Sequence, residues 1–167
     1  MEHGYPFSGT GSLNNFCSGL VKIGALNNIV IIYDNDTTGL YAYQITQKLN
    51  LPNNIKVMKL PELDSLNNFS TVGPSGVNQE NINGKAASIE CFLDLEWEKN
   101  SEPLVRWTSF NNNIEQYQGE LVNKRFYTKK FLHLKEINTK YNYDKLNVLI
   151  DNIFNECVCI SEAKIMN

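Results

Sequence analysis

The fold is decided by an apolar run that leads directly into an acidic turn, IVIIY at residues 29–33 and DNDTTG at residues 34–39. The run is too short for a buried helix, and it does not alternate apolar with polar residues. It therefore predicts a strand that is buried on both faces.

A helix and a second strand are predicted after this turn. Apolar residues recur at helical spacing over 41–49, and Pro52 ends that helix. Residues 55–60 have the alternating character of a strand, which ends at Pro61. A strand, a helix and a strand within about 30 residues form a βαβ unit, so we expect the two strands to be parallel.

The rest of the chain predicts helices, one further strand and a long loop. These are a short helix over 12–21, a loop over 61–84, a helix over 85–97, a strand over 104–110, a helix over 120–134 and an amphipathic helix over 143–159. We therefore expect an α/β core over 1–97, with helices flanking a parallel sheet. A mostly helical C-terminal extension follows over 98–167.

The composition excludes several classes of protein. The 167 residues include 18 acidic and 15 basic side chains, so a strongly basic protein that coats nucleic acid is disfavoured. The chain has neither an apolar run of about 18 residues nor a signal peptide, and we expect a cytoplasmic protein without membrane association. Four scattered cysteines and two histidines supply a zinc site poorly, and they predict reduced thiols.

Asp34 and Asp36 are the first candidate functional residues. They follow the carboxyl end of the predicted strand, where open α/β sheets place ligand and metal sites. Alternate side chains of an extended segment point the same way, so both carboxylates can face one point and hold Mg²⁺ or Mn²⁺. The same residues also predict an ordinary turn with a helix N-cap, and both interpretations stay open.

Three further residues are candidates for the same chemistry. Glu90 lies close to the apolar face of the predicted helix over 85–97, and it is either a further ligand or acid, or a carboxylate that reaches solvent from the helix rim. Lys85 and Lys124 are candidates for phosphate contact, with ordinary solvated lysines as the alternative. Basic residues recur through 124–130, which predicts either a modest nucleic-acid patch or a solvated helix face.

Two motif comparisons fit the acidic turn incompletely. An EF-hand loop that starts at Asp34 needs Glu at its twelfth position, where this chain has Ile45. Haloacid-dehalogenase-like phosphatases begin with a similar strand and Asp-x-Asp-x-Thr, which makes Asp34 the nucleophile and Asp36 the acid. That family usually has glycine after the second aspartate. It also needs a later acidic pair, for which the chain offers Asp94 and Glu96 within a predicted helix.

Residues 29–42 resemble the Asp-x-Asp segment of the Toprim (topoisomerase–primase) domain, and Asp34, Asp36, Gly39 and Ala42 match it. The next strand and its Leu-Pro ending resemble primase-like members, with Asp64 in the place of a following acid. The resemblance covers about residues 12–66. A longer pattern over 83–90 and 117–120 resembles Toprim proteins found beside HEPN domains in bacterial defence.

The resemblance implies a Toprim-like parallel sheet and a Mg²⁺-dependent nuclease that acts on nucleic acid, with DNA favoured over RNA. It implies that Asp34 and Asp36 bind the metal, with Glu90 as a supplement, and that a larger parent protein or a defence partner exists. The family also opens with a strand that ends in a catalytic Glu, whereas Glu2 is the only acid before Asp34 here.

Three explanations of that difference stay open. The chain is a piece of a longer protein, or Glu2 stands at the clipped end of that strand, or the site is incomplete. Two other functions stay open with them. One is a catalytically inactive Toprim-like binding module, and the other is a dehalogenase-like phosphatase that uses Asp34.

Overall fold

The computed structural model describes residues 10–97, 102–134 and 140–165. Within them the chain is a mixed α/β protein with four α-helices and three sheets, one of which is a parallel pair. In chain order, the first elements are α1 (Thr10–Lys22), β1 (Ile29–Tyr33), β2 (Asn35–Asp36), α2 (Thr37–Gln47), β3 (Ile55–Lys59), a 3₁₀ turn (Asp64–Leu66), β4 (Phe69–Gly73) and β5 (Gly76–Glu80). They are followed by β6 (Ala86–Ala87), a 3₁₀ turn (Ile89–Phe92), β7 (Val105–Asn111), β8 (Gln116–Leu121), α3 (Lys124–Leu132) and α4 (Asp144–Ile165).

The βαβ unit predicted from the sequence is confirmed. β1 and β3 pair in parallel, with Ile29 opposite Ile55 and Tyr33 opposite Lys59. Helices α1 and α2 pack with this pair around a small apolar cluster that includes Leu20, Ile31 and Ala42. The buried Tyr33 hydroxyl shares a hydrogen bond of 2.7 Å with Thr46 of α2. The carboxyl end of β1, where the acidic turn begins, is therefore held on a packed scaffold.

The prediction of a loop over 61–84 is wrong. Its centre is a hairpin of β4 and β5, in which Gly73 pairs with Gly76 across a two-residue turn. Gly76 has a φ of +96°, which glycine adopts at little steric cost. The Pro and Gly residues that indicate a loop in the sequence instead make a tight hairpin turn.

The helix expected over 85–97 is also wrong. Ala86 and Ala87 form the short strand β6, which pairs antiparallel with β2, and only a 3₁₀ turn follows. Almost every apolar residue of this segment is buried, including Phe92 with none of its surface exposed. A segment surrounded by protein needs no helical periodicity, so the spacing that indicates a helix carries little information here.

The part of the chain after residue 101 supplies two strands as well as two helices. β7 confirms the strand expected over 104–110, but β8 occupies 116–121, where we expected irregular structure and then a helix. These strands complete a sheet of order β5-β4-β7-β8, in which β4 and β7 are parallel. One sheet thus joins residues on both sides of position 97, where we expected the α/β core to end.

The larger apolar core brings the four-stranded sheet, the 3₁₀ turns, α3 and α4 together. Phe92, Val105 and Leu121 are fully or almost fully buried in it, and Leu149 of α4 packs on the same cluster. None of the helices in the described ranges is both long enough and apolar enough to cross a membrane.

Candidate functional site

Asp36 has a clear structural role at the start of α2. Its Oδ1 accepts a hydrogen bond of 2.7 Å from the Gly39 amide, which makes it the helix N-cap. Its Oδ2 accepts a second bond, of 2.9 Å, from Nε2 of Gln118 on β8. The interpretation of the acidic turn as an N-cap is therefore confirmed for Asp36.

Gly39 explains the spacing between the two aspartates and the glycine. A Cβ built on Gly39 would lie 2.1 Å from the Asp34 carbonyl oxygen and 3.1 Å from Asp36 Oδ1. The first of these distances is far below a van der Waals contact. Only glycine lets α2 approach the end of β1 this closely, so this part of the motif is a packing requirement as well.

Asp34 stands just beyond β1 with little exposure to solvent. Its Oδ1 accepts a hydrogen bond of 3.2 Å from the Ile89 amide. Burial raises its pKa from 3.8 to about 6, and the charges of Asp36 and Glu90 add to the rise, whereas Lys124 and the Ile89 amide oppose it. Burial, rather than neighbouring charge, is therefore the main cause of the raised pKa.

Glu90 and Lys124 approach Asp34 from different parts of the chain. Glu90 lies in the 3₁₀ turn after β6 and not on a helix as expected, and its Oε2 accepts a bond of 2.7 Å from the Ser88 hydroxyl. Lys124 is the first residue of α3. Both residues line a cleft of about 420 Å³ that also contacts Glu120, Arg125, Thr128 and Lys129. The structure thus brings Asp34, Asp36, Glu90 and Lys124 into one neighbourhood.

Lys85 does not line this cleft. Its backbone bridges to Asp36, and its carbonyl accepts a bond of 2.9 Å from the Gly119 amide. The residue lines a different cleft, with Trp107 and Tyr117. Of the two lysines that the sequence offered for phosphate contact, only Lys124 lines a cleft together with Glu90.

Reasoning from the residues missed the two glutamines of β8 that hold the turn. Gln118 Oε1 accepts from the Thr38 amide at 2.9 Å and from the Thr38 hydroxyl at 3.0 Å. Gln116 Nε2 donates to the Thr37 hydroxyl oxygen at 3.1 Å. The signal available in the sequence was the resemblance of residues 117–120, which include Gln118, to defence-associated Toprim proteins.

The acidic side chains of the described residues do not form a closed metal cage. No group of three or more His, Cys, Asp or Glu side chains in the described residues is arranged to hold a metal ion. Mg²⁺ is often bound by one or two carboxylates, with water and substrate phosphate completing its six ligands. Asp34 and Asp36 are the two carboxylates that could supply such a site, although Asp36 already accepts hydrogen bonds on both oxygens.

The acidic pair that a dehalogenase-like phosphatase requires has another role here. Asp94 Oδ1 accepts from the amides of Glu96 and Trp97, both at 3.1 Å, and Oδ2 accepts from the Asn142 amide at 2.9 Å. This carboxylate closes a turn and ties it to the segment before α4.

Comparisons of the chain with protein-family models, with curated proteins and with solved structures found no significant match, so the resemblance to the Toprim domain stays a prediction.

Proposed function

We propose that this protein carries out Mg²⁺-dependent phosphoryl transfer on nucleic acid, as a nuclease of the Toprim type with DNA as the favoured substrate. The observation that carries the proposal is that Asp36, Glu90 and Lys124 all lie near enough to Asp34, at the carboxyl end of β1, to act electrostatically on its carboxylate. These four residues come from three separate segments, and the sequence had indicated each of them for this chemistry. The same resemblance favours a role in bacterial defence within a larger protein or beside a partner.

Each residue has a defined part in the proposed site. Asp34 and Asp36 hold the ion, which supplies positive charge that polarises a phosphate. Lys124 pairs with the phosphate as negative charge develops on it, and Lys129 extends the positive surface along α3. Glu90 is a supplementary ligand or acid. Asp34 is mostly ionised at neutral pH, as a metal ligand must be, because its pKa is about 6.

The test is cleavage of labelled single- and double-stranded DNA, and of RNA, in Mg²⁺, Mn²⁺ or EDTA. Asp36→Asn is the informative variant because asparagine caps a helix about as well as aspartate. Its Nδ2 takes the place of the oxygen that accepts from Gln118, so circular dichroism checks that the variant folds. We expect metal-dependent cleavage that falls at least about 100-fold in Asp34→Asn and Asp36→Asn. Cleavage in EDTA, or full activity in Asp36→Asn, would contradict the proposal.

A second candidate is a catalytically inactive module that binds nucleic acid or a partner protein. It is favoured by the hydrogen bonds on both Asp36 oxygens, since Gly39 and Gln118 account for that residue without a metal. This function predicts no cleavage even in Mn²⁺, together with unchanged binding in Asp36→Asn.

The phosphatase is the weakest of the three functions. Its acid would be Asp36, but both oxygens of that carboxylate already accept hydrogen bonds, from the Gly39 amide and from Gln118 Nε2. It predicts hydrolysis of an aryl phosphate with a phosphoaspartate trapped at Asp34, and absence of turnover would exclude it.

A further inference from the structure

A second cleft, of about 620 Å³, lies on the four-stranded sheet and is lined by aromatic rings. Trp107 and Phe110 come from β7, and Tyr117 comes from β8. Phe110 is 47% exposed and Tyr117 is 57% exposed, and their ring centroids are 5.1 Å apart in an edge-to-face arrangement. Exposed rings of this size on a sheet offer flat apolar surface that the protein's own core leaves unused.

Two backbone features gather these rings on one side of the cleft. The pairing of β7 with β8 shifts register between Trp107 and Phe110, which lets two residues three positions apart line the same cleft. Gly73 makes room for the indole, because a Cβ there would lie 3.2 Å from Trp107 Cδ1. The rings are thus placed by strand geometry rather than by a mobile loop.

The polar lining suits a ring with hydrogen-bonding edges. Glu80 and Glu115 supply carboxylate acceptors, Asn78 and Gln116 supply amides, and Lys85 supplies a cation. Glu80 is held in place by the Thr71 hydroxyl, which donates to its Oε1 at 3.3 Å. Two carboxylates against one ammonium disfavour a surface that binds only phosphates, but they accept readily from the N–H groups of a nucleobase.

This cleft is continuous with the acidic turn through the backbone. Lys85, which lines the cleft, is the bridge partner of Asp36, and neighbouring strands lie about 5 Å apart. Gln116 lines the cleft as well, and its Nε2 bonds to the hydroxyl oxygen of Thr37, next to Asp36. A chain molecule held in the cleft therefore passes close to the start of α2.

The geometry points to an unpaired nucleobase of a single strand as the occupant of this cleft, stacked on the face of Tyr117 and flanked by the Phe110 ring, with its phosphate towards Lys85. The inference rests on the proposed function, because it gives that function a preference for single-stranded substrate. A duplex hides its base faces inside the stack, so it cannot place a base on these rings. An arginine-rich peptide is the competing occupant, since rings and carboxylates also attract cations.

The experiment is fluorescence anisotropy of fluorescein-labelled dT₁₀ in EDTA, where metal-dependent cleavage cannot occur. Stacking on an aromatic side chain contributes about 1–3 kcal/mol per base, so Tyr117→Leu should weaken binding about 5- to 140-fold. Tyr117→Phe keeps the ring and should bind within about twofold of the unmodified protein. Phe110→Leu is the second variant, and circular dichroism confirms that each variant folds.

The result expected is binding of dT₁₀ that exceeds binding of a duplex of equal length and falls in both leucine variants. Absence of dT₁₀ binding, equal affinity in Tyr117→Leu and Phe110→Leu, or binding of an arginine-rich peptide in its place would overturn the inference. Asp36→Asn separates this inference from the proposed function, because it should keep dT₁₀ affinity while it abolishes cleavage. If dT₁₀ binding falls in the two leucine variants, that result supports the cleft as the binding site for a nucleobase, whatever the cleavage assay shows.

Discussion

Gln118 and Asp36 are 82 positions apart in the sequence, yet Gln118 Nε2 donates a hydrogen bond of 2.9 Å to Asp36 Oδ2. Oε1 of the same side chain accepts a hydrogen bond of 2.9 Å from the backbone N–H of Thr38. One side chain of β8 thus fixes both the carboxylate and the first turn of α2. The acidic turn is therefore held by long-range contacts as well as by its local capping.

Removal of this amide should destabilise the fold. Gln118→Leu leaves the Thr38 amide without that acceptor and Asp36 without that donor, so we expect the free energy of unfolding to fall by about 1–3 kcal/mol in urea denaturation. Gln79→Leu is the matched control on the exposed strand β5, where the side chain bonds to Ser70 alone. Equal losses in the two variants would show that Gln118 has no special role.

Gly39→Ala should be among the most damaging single changes in this part of the chain. Its Cβ would lie 2.1 Å from the Asp34 carbonyl oxygen, so α2 must move away from β1. We expect a loss of about 3 kcal/mol or more, measured by urea denaturation. Gly19→Ala, in α1 with nothing within 4 Å of its Cβ, should instead stabilise the protein by about 0.5–1 kcal/mol. Similar effects at both glycines would refute the packing argument.

The stability of the protein should depend on the ionisation of Asp34. Its pKa rises from 3.8 to about 6 on folding because the carboxyl is buried, so the folded state holds the proton more tightly. Stability should therefore fall as pH rises through this window, by up to about 3 kcal/mol, and stay lower above it.

Asp34→Asn removes that titration. In EDTA the variant should match the unmodified protein near the lower end of the window and exceed its stability above the upper end. Asp151→Asn, at an exposed position on α4, is the control. A constant difference between Asp34→Asn and the unmodified protein at all pH values would contradict this assignment.

Lys124 should lower the pKa of the Asp34 carboxyl. Its charge opposes the rise in the pKa of Asp34, so Lys124→Gln should move that pKa further up. The measurement is a carbon NMR titration of the Asp34 carboxyl. Lys22→Gln, at the far end of α1, is the control and should leave the titration unchanged. A downward move in Lys124→Gln would show that the two groups do not face each other as described.

Local patterns predicted the elements that depend on local sequence. The continuous run of β1, the periodicity of α2 and the alternating character of β3 each indicated the correct element. The hairpin of β4 and β5 was missed because Gly73 and Gly76 indicate a loop as readily as a two-residue turn. Ala86, Ile89 and Leu93 have helical spacing, but strand pairing and burial decided their structure.

Some residues of the candidate site are likewise predictable from local sequence, and others only from the fold. Asp34 and Asp36 were found because a strand and a turn place them together in the sequence. Glu90 and Lys124 were proposed singly, and only the fold gives them a common neighbour. No local sequence pattern indicates the role of Gln118, because its amide contacts Asp36 only when β8 lies beside the start of α2.

If the acidic turn binds a divalent metal ion as we propose, paramagnetic Mn²⁺ should reveal it at the level of single residues. Mn²⁺ added to nitrogen-labelled protein should broaden the amide signals of Gly39 and Ile89 first, because Gly39 donates to Asp36 and Ile89 donates to Asp34. Excess Mg²⁺ should reverse the broadening, and Asp36→Asn should abolish it. Broadening that is centred elsewhere, or that persists unchanged in Asp36→Asn, would contradict the account.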